Sequence, residues 1–164
     1  LILGYSNAEG RRDYDQISSF YHDEAFDVLG GIYKGLAKDS DAHQQQNQAP
    51  IEILHHNVTT VNIKLDPEDA NRAEGEVYVL AFHKMKSPDG SLDLLIGGRY
   101  FDKYEQRAGL WKFSHRAVVA DWVNVHSPSI VDLKHPLIDG SLIGKPGEDD
   151  PSYDFFSLIK RGER

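Results

Sequence analysis

The stretch AEGEVYVLAFHKM, residues 73–85, decides the fold because its side chains alternate as they do in a β-strand. Val77, Val79, Ala81 and His83 fall on one face of that strand. An apolar row that ends in a histidine is therefore predicted to point into the core. The sequence predicts one long strand here, with neighbours on both sides.

Strand-like segments with the same period lie before and after this stretch. The four predicted strands are Ile51–Leu65, Ala73–Met85, Leu92–Gln106 and Trp111–Val125. Short runs with Pro, Gly and Asp separate them at residues 66–69, 87–90 and 107–109, which favours hairpins and an antiparallel meander. The Gly97-Gly98 pair predicts a bend where a strongly curved sheet needs no side chain.

The first 50 residues follow a helical period instead. A helix over residues 1–9 is expected to end at Gly10, and Asp13 is the predicted N-cap of a second helix. That helix buries Tyr14, Ile17, Ser18 and Tyr21. The remaining predictions are a strand over Ala25–Leu29, a turn at Gly30-Gly31 and a polar helix over Gly35–Gln46 with a frayed Gln-rich end. Helices followed by long hairpins indicate an α+β domain.

Composition excludes several classes of function. The 164 residues fit one domain, and a net charge of −8 with a pI of about 5.4 argues against nucleic acid and anionic membranes as partners. The chain has no cysteine, no nucleotide-binding glycine motif and no apolar run of about 20 residues that would span a bilayer. A cytoplasmic protein is expected.

Two histidines on predicted strands point to proton transfer. His56 alternates with Leu54 and Val58, and a bulge at residues 55–57 is expected to direct it toward a cavity shared with His83. Imidazoles with pKa values near 6.5 transfer protons at neutral pH without a metal. Each histidine alone also fits a hydrogen-bonded core or rim position. The adjacent His55 and His56 point to opposite faces, which argues against a metal site.

Alternation in the last strand leaves its inward face undecided. Phe113 falls on one face and Arg116 on the other, and both faces carry charged residues. Arg99 is expected to form an ion pair with Asp102, Glu105 or Asp121 across the ladder. Four further histidines are predicted to lie on the surface: His22, His43, His126 and His135.

The tail from Ser127 is rich in Pro, Gly and Asp. We expect a domain over residues 1–126 and an extension over residues 127–164 that packs on it or on a neighbouring subunit.

Several stretches together carry a family resemblance. They are GRRDYD (10–15), FYHDEA (20–25), His55-His56 with TVNIKLD (60–66), YVLAFH (78–83), GGRYFD (97–102) and WKFSHR (111–116). Residues 1–126 thereby resemble the SnoaL-like, nuclear-transport-factor-2-like branch that contains hexachlorocyclohexane dehydrochlorinase and, more distantly, scytalone dehydratase. The resemblance implies a cystatin-like cone of strongly curved antiparallel sheet, with N-terminal helices enclosing a pocket.

The same resemblance implies roles for individual residues. His56 aligns with the catalytic histidine, His83 with a second active-site histidine and Arg116 with an active-site arginine. The aspartate that orients the base in those enzymes aligns with Gly10, so Glu9 is the candidate replacement. Substrate binding is assigned to Tyr5, Tyr33 and Asp13. No metal or cofactor is implied.

Two functions follow from the residues and the resemblance. The first is a cofactor-independent lyase that eliminates water, halide or a small fragment, or an isomerase that shifts a proton, acting on a cyclic or aromatic molecule. The alternative is a non-catalytic ligand-binding protein, or an assembly subunit like the small subunit of ring-hydroxylating dioxygenases. Dimers or trimers are expected by resemblance.

Overall fold

A computed structural model describes residues 1–29, 33–40 and 50–158 of the chain. The helices are α1 (Ile2–Arg11), α2 (Tyr14–Ser19) and α3 (Ser152–Phe155), with single 3-10 turns at Pro136–Ile138 and Gly147–Asp149; residues 37–40 are also helical. The strands are β1 (Tyr21–Leu29), β2 (Tyr33–Leu36), β3 (Ile51–Leu65), β4 (Arg72–Ser87), β5 (Gly90–Arg107) and β6 (Leu110–His126). The α+β class and the four long strands are confirmed.

All six strands form one curved sheet in the order β2-β1-β6-β5-β4-β3. The long strands β3 to β6 pair as successive antiparallel hairpins, as the turn chemistry predicts. Strand β1 pairs in parallel with β6, which adds the N-terminal strands to the far side of the meander.

The Gly97-Gly98 bend is confirmed, because the β5–β6 register shifts between these two residues. A Cβ at Gly97 would lie 2.2 Å from the Trp122 indole, and one at Gly98 would lie 2.5 Å from the Val119 carbonyl oxygen. Neither position has room for a side chain.

The core lies on the inner, concave face of the sheet, beneath α1 and α2. The inward row of β4 is confirmed: Val77, Val79 and Ala81 are buried, whereas Tyr78 and Leu80 on the opposite face are about two-fifths exposed. The main cluster combines residues of both helices with the inner face of the strands: Tyr5, Ala8, Ile17, Tyr21, Ala25, Tyr104 and Phe113.

Three predicted helix boundaries were wrong. Helix α1 continues through Gly10 to Arg11, and its C-cap Arg12 adopts the left-handed conformation at φ 55°. Helix α2 is correctly capped by Asp13 but ends at Ser19, so Tyr21 is buried from β1 rather than from a helix. Gly35 and Leu36 belong to β2, where they pair with β1. The helix predicted over Gly35–Gln46 therefore begins at residue 37, two residues later than predicted. Residues 30–31, 41–46 and the Gln-rich run 44–48 lie outside the described residues.

Two register predictions also require correction. The β5–β6 register shifts between Lys103 and Tyr104, which skips Ser114 and turns both Phe113 and Arg116 to the inner face. Both are fully buried, so strict alternation was wrong there. The bulge expected at residues 55–57 is absent from the described strand, where His56 pairs regularly with Ala81. The β3–β4 irregularities lie at residues 51–53 and 58–61 instead.

The extension packs on its own chain. Ser129 Oγ donates to Asp93 Oδ1 at 2.5 Å, and the Tyr153 hydroxyl donates to Asp13 Oδ2 at 2.9 Å. These two contacts join the extension to β5 and to the N-cap of α2. The domain division itself stays a prediction. None of the helices in the described ranges has the length and apolar character that crossing a bilayer requires.

Candidate active site

The candidate site is built on two histidines from neighbouring strands. His56 of β3 pairs with Ala81, and His83 of β4 pairs with Leu54, so the histidines are diagonal neighbours on the inner face. Their ring centroids are 5.4 Å apart, with an interplanar angle of 83°. Within the described residues, His56 Nδ1 and His83 Nε2 are buried and have no hydrogen-bond partner.

His56 is one of the residues that line a cleft of about 560 Å³, a volume suited to a small ring compound. Helix α1 contributes Ser6, Gly10 and Arg12 to one wall. The Ser6 hydroxyl donates to the His56 carbonyl oxygen at 3.1 Å, which joins that wall to β3. Aliphatic residues of the extension form the roof: Leu133, Ile138, Leu142 and Ile143. The sequence predicted that the tail packs on the domain but not that it lines the cleft.

Both histidines are held in the neutral form. Burial, with the neighbouring His83, His55 and Arg116, lowers the pKa of His56 to about 3. Burial and the positive charge of Arg12 lower the pKa of His83 to about 4. At neutral pH each ring therefore has one nitrogen that accepts a hydrogen bond and one that donates.

Glu9 is buried on α1, with 8% of its surface exposed. Its charge raises the pKa of Tyr5 and of Tyr100, in both cases less than burial does. No carboxylate in the described part of the chain is among the causes of the lowered His56 pKa. Gly10, which the resemblance aligns with the family aspartate, lines the cleft, and a Cβ there would lie 3.7 Å from the Leu54 carbonyl oxygen.

Arg116 is fully buried and already engaged. Its Nε and Nη2 donate to the two carboxylate oxygens of Asp102, each at 2.7 Å. The guanidinium lies 4.0–4.2 Å from the ring centroids of Tyr5, Tyr100 and Phe113. This arginine therefore acts on the cleft through its electric field, which contributes to the low pKa of His56.

Sequence reasoning missed Asp27. This residue lies on β1, where it pairs in register with Arg116 of β6, and it is fully buried. Neither of its carboxylate oxygens makes a hydrogen bond of ordinary geometry within the described residues. Burial raises its pKa to about 6, and Arg116 and the Val28 N–H offset only part of that rise. The only sequence signal was a carboxylate between Phe26 and Val28 in a strand.

The predicted substrate-binding residues do not gather around the histidines. Tyr5 is a core residue packed edge-on to Phe113 at 5.7 Å. Asp13 caps α2 and accepts from Tyr153 of the extension. Tyr33 lies on the outermost strand β2, at the opposite end of the strand order from β3, and donates to the Leu36 carbonyl oxygen at 2.7 Å. The assigned roles of all seven site residues stay predictions.

Arg99 forms the expected ion pair with Asp121 at 2.8 Å, and also pairs with Glu76 at 2.8 Å. Of the predicted surface histidines, His126 and His135 are exposed, His22 is half-buried and His43 lies outside the described residues. Within the described ranges, His, Asp and Glu side chains form no group of three or more that could hold a metal ion.

Residues 1–117 match the model of the SnoaL-like domain. The chain belongs to the SnoaL-like domain family. This confirms the resemblance inferred from the residues. No curated protein matches the chain significantly.

Solved structures share the fold of this SnoaL-like protein. LinA is 21% identical, with a TM-score of 0.71 over 80% of this chain and 88% of LinA. Hexachlorocyclohexane dehydrochlorinase LinA-type3 from Novosphingobium barchaimii LL02 is 23% identical, with a TM-score of 0.64 over 80% and 88%. A candidate scytalone dehydratase from Novosphingobium aromaticivorans DSM 12444 is 16% identical, with a TM-score of 0.65 over 75% and 80%. At these identities the likeness establishes the cone fold alone.

Proposed function

We propose that this SnoaL-like protein is a cofactor-independent lyase or proton-shifting isomerase that acts on a small cyclic or aromatic molecule. The observation that carries the proposal is the contact of two neutral histidines, His56 and His83, at a cleft of suitable size. An unprotonated imidazole is the form that accepts a proton, and the ring nitrogens His56 Nδ1 and His83 Nε2 are buried.

In the proposed reaction, the free nitrogen of His56 removes a proton from a substrate carbon. The electron pair of that C–H bond forms a C=C bond, and the bond from the neighbouring carbon to the leaving group breaks. A halide departs as the anion, and protonated His56 then returns its proton to solvent. A hydroxyl group departs as water after taking the proton from His56, either directly or through His83, which hydrogen-bonds the leaving group or a substrate oxygen. In the isomerase variant, His56 delivers the same proton to another substrate carbon. The field of Arg116 stabilises the negative charge that develops on the substrate.

A non-catalytic ligand-binding or assembly role is the second candidate, and one observation favours it. Gly10 replaces the orienting aspartate, and Glu9 acts on tyrosines rather than on His56. A histidine base without an orienting carboxylate has weaker control of its tautomer and less stabilisation of its imidazolium form.

Self-association also belongs to the proposal. The outer face of β4, β5 and β6 exposes Tyr78, Leu80, Phe101 and Trp122, each by 39–48%. An apolar patch of this kind on an antiparallel sheet favours contact with a second copy in a dimer or trimer. Size-exclusion chromatography with light scattering measures the mass directly. A self-sufficient homo-oligomer supports the enzyme, whereas an unstable chain that requires a larger partner supports the assembly role.

The test of the lyase proposal is a screen of small cyclic substrates in D2O, followed by NMR. The panel contains hydroxylated cyclic ketones, halogenated cyclohexanes and aromatic acids with eliminable side chains. We expect a new vinylic proton signal for a lyase, or deuterium at a substrate carbon for an isomerase. Binding of panel members without either change supports the second candidate.

A further inference from the structure

Four buried nitrogen atoms at the histidine cleft have no hydrogen-bond partner within the described residues. They are Nε of Arg11, Nε of Arg12, Nδ1 of His56 and Nε2 of His83. The two arginines and His56 line the cleft, and His83 contacts His56. A guanidinium nitrogen only donates, whereas each nitrogen of a neutral imidazole either donates or accepts. Buried donors are normally paired, so the two arginine nitrogens favour a ligand that supplies acceptors.

Arg12 is fixed at the edge of the cleft by its backbone and by one hydrogen bond. It is the C-cap of α1 and adopts the left-handed conformation, φ 55° and ψ 39°, which is unfavourable for a residue with a Cβ. Its Nη2 donates to the Ile51 carbonyl oxygen at 2.6 Å, which leaves Nε free to face a ligand. Within the described residues Arg12 forms no ion pair with a carboxylate.

The cleft is locally cationic although the chain carries a net charge of −8. Its lining includes the cations Arg11, Arg12 and Lys145, and the carboxylates Glu52 and Asp150. The histidines add no charge at neutral pH because their pKa values are lowered. A cleft that carries a net charge between low-dielectric walls concentrates ligands of the opposite charge.

Both carboxylates that line the cleft already have hydrogen-bond partners within the protein. Glu52 accepts from Ser91 at 2.8 Å and lies 3.8 Å from Lys84 Nζ. Asp150 accepts from the backbone N–H groups of Lys145 and Ser152, each at 3.0 Å. The charge of Arg12 acts on the histidine pair, since it contributes to the lowered pKa of His83.

We propose that the cleft binds an anionic ring compound, with the carboxylate of the ligand held by Arg12 beside the two histidines. A guanidinium donates two parallel hydrogen bonds to a carboxylate, and such charge-assisted bonds are about twice as strong as neutral ones. The inference deepens the proposed function, since it names a carboxylate-bearing substrate class for the same cleft. It requires binding only and does not require turnover.

The experiment compares benzoate with benzamide by isothermal titration calorimetry on the full chain. The two probes have the same ring and nearly the same shape, but only benzoate is charged at neutral pH. Arg12→Gln removes the cation, and Arg12→Gly removes it with a residue that tolerates the left-handed conformation. Arg72→Gln is the matched control, because Arg72 is an exposed cation paired with Asp69 and lies outside the cleft.

We expect the wild type to bind benzoate at least about tenfold more tightly than benzamide, and Arg12→Gln and Arg12→Gly to reduce that preference to within about twofold. Arg72→Gln retains the full preference. The calorimetric readout requires no turnover, so failure of the anion site is distinguishable from failure of the proposed base. Equal binding of the two probes, no benzoate binding at about 10 mM, or an unchanged preference in the folded Arg12 variants overturns the proposal.

Discussion

The imidazole of His56 stands edge-on to that of His83, with ring centroids 5.4 Å apart on neighbouring strands. Burial and nearby positive charge keep both rings neutral. The cleft thus contains two groups that can accept protons without carrying charge at rest. Within the described residues the pair has no carboxylate partner that would raise its basicity.

Neither histidine is expected to titrate in the physiological range. Because the pKa of His56 is lowered to about 3 and that of His83 to about 4, their ring proton signals stay constant from about pH 5 to about pH 8. NMR titration checks this, with the two signals assigned from His56→Gln and His83→Gln proteins. The activity profile accordingly shows no loss near pH 6.5 from protonation of the base. A midpoint near 6.5 for either ring contradicts the buried, carboxylate-free environment.

Gly10→Asp is expected to raise the pKa of His56. Gly10 lines the cleft, and a Cβ there makes only an ordinary contact at 3.7 Å, so the helix accepts a side chain. A carboxylate near an imidazole favours its protonated form and raises its pKa by about one unit or more. Gly10→Asn supplies the same shape without the charge and is the control. Equal His56 titration in the two variants would show that this position does not reach the base.

Asp27→Asn is expected to stabilise the protein at neutral pH. The folded-state pKa of about 6 lies above the unfolded value of about 3.9, so the stability that Asp27 contributes is present below about pH 4 and is lost as pH rises through about 6. Removing the charge raises the free energy of unfolding by roughly 1–3 kcal/mol at pH 7 and by little at pH 4. Urea denaturation at both pH values measures this. A loss of stability at pH 7 would indicate a favourable Asp27–Arg116 ion pair instead.

Arg116→Met is expected to destabilise the fold by roughly 3–5 kcal/mol, because it leaves Asp102 charged and buried. Arg99→Met, which breaks the solvent-facing pairs with Glu76 and Asp121, causes a much smaller loss. The double variant Arg116→Met/Asp102→Leu regains part of the stability, since no charge is left unpaired. Chemical denaturation compares the four proteins. Similar decreases in the free energy of unfolding for Arg116→Met and Arg99→Met would contradict the burial of the Arg116–Asp102 ion pair in the core.

Local signals determined most of the fold in advance. The predicted bounds of Ile51–Leu65 are those of β3, because alternation and flanking turn residues act within a few positions. The parallel pairing of β1 with β6 was not predictable, since it joins segments separated by most of the chain. The skipped Ser114 was missed for a related reason: a single-residue bulge reverses the alternation on which face assignment depends.

The site was partly predictable. His83 ends an apolar inward row and His56 falls on the adjacent strand, so their contact followed from pairing alone. Arg12 and Asp27 gave no comparable signal, because burial of a charged side chain depends on what packs above it. Arg12 falls between the predicted end of the first helix at Gly10 and the predicted cap Asp13, and its position at the cleft depends on the packing of α1 against β3.

The most direct test of the account is turnover by His56→Ala on a substrate identified in the D2O screen. The exposed His126 supplies the matched control, His126→Ala. The account predicts that His56→Ala loses at least about a hundredfold in kcat while staying folded, and that His126→Ala retains wild-type turnover. Full turnover by folded His56→Ala would contradict the role of His56 as the base.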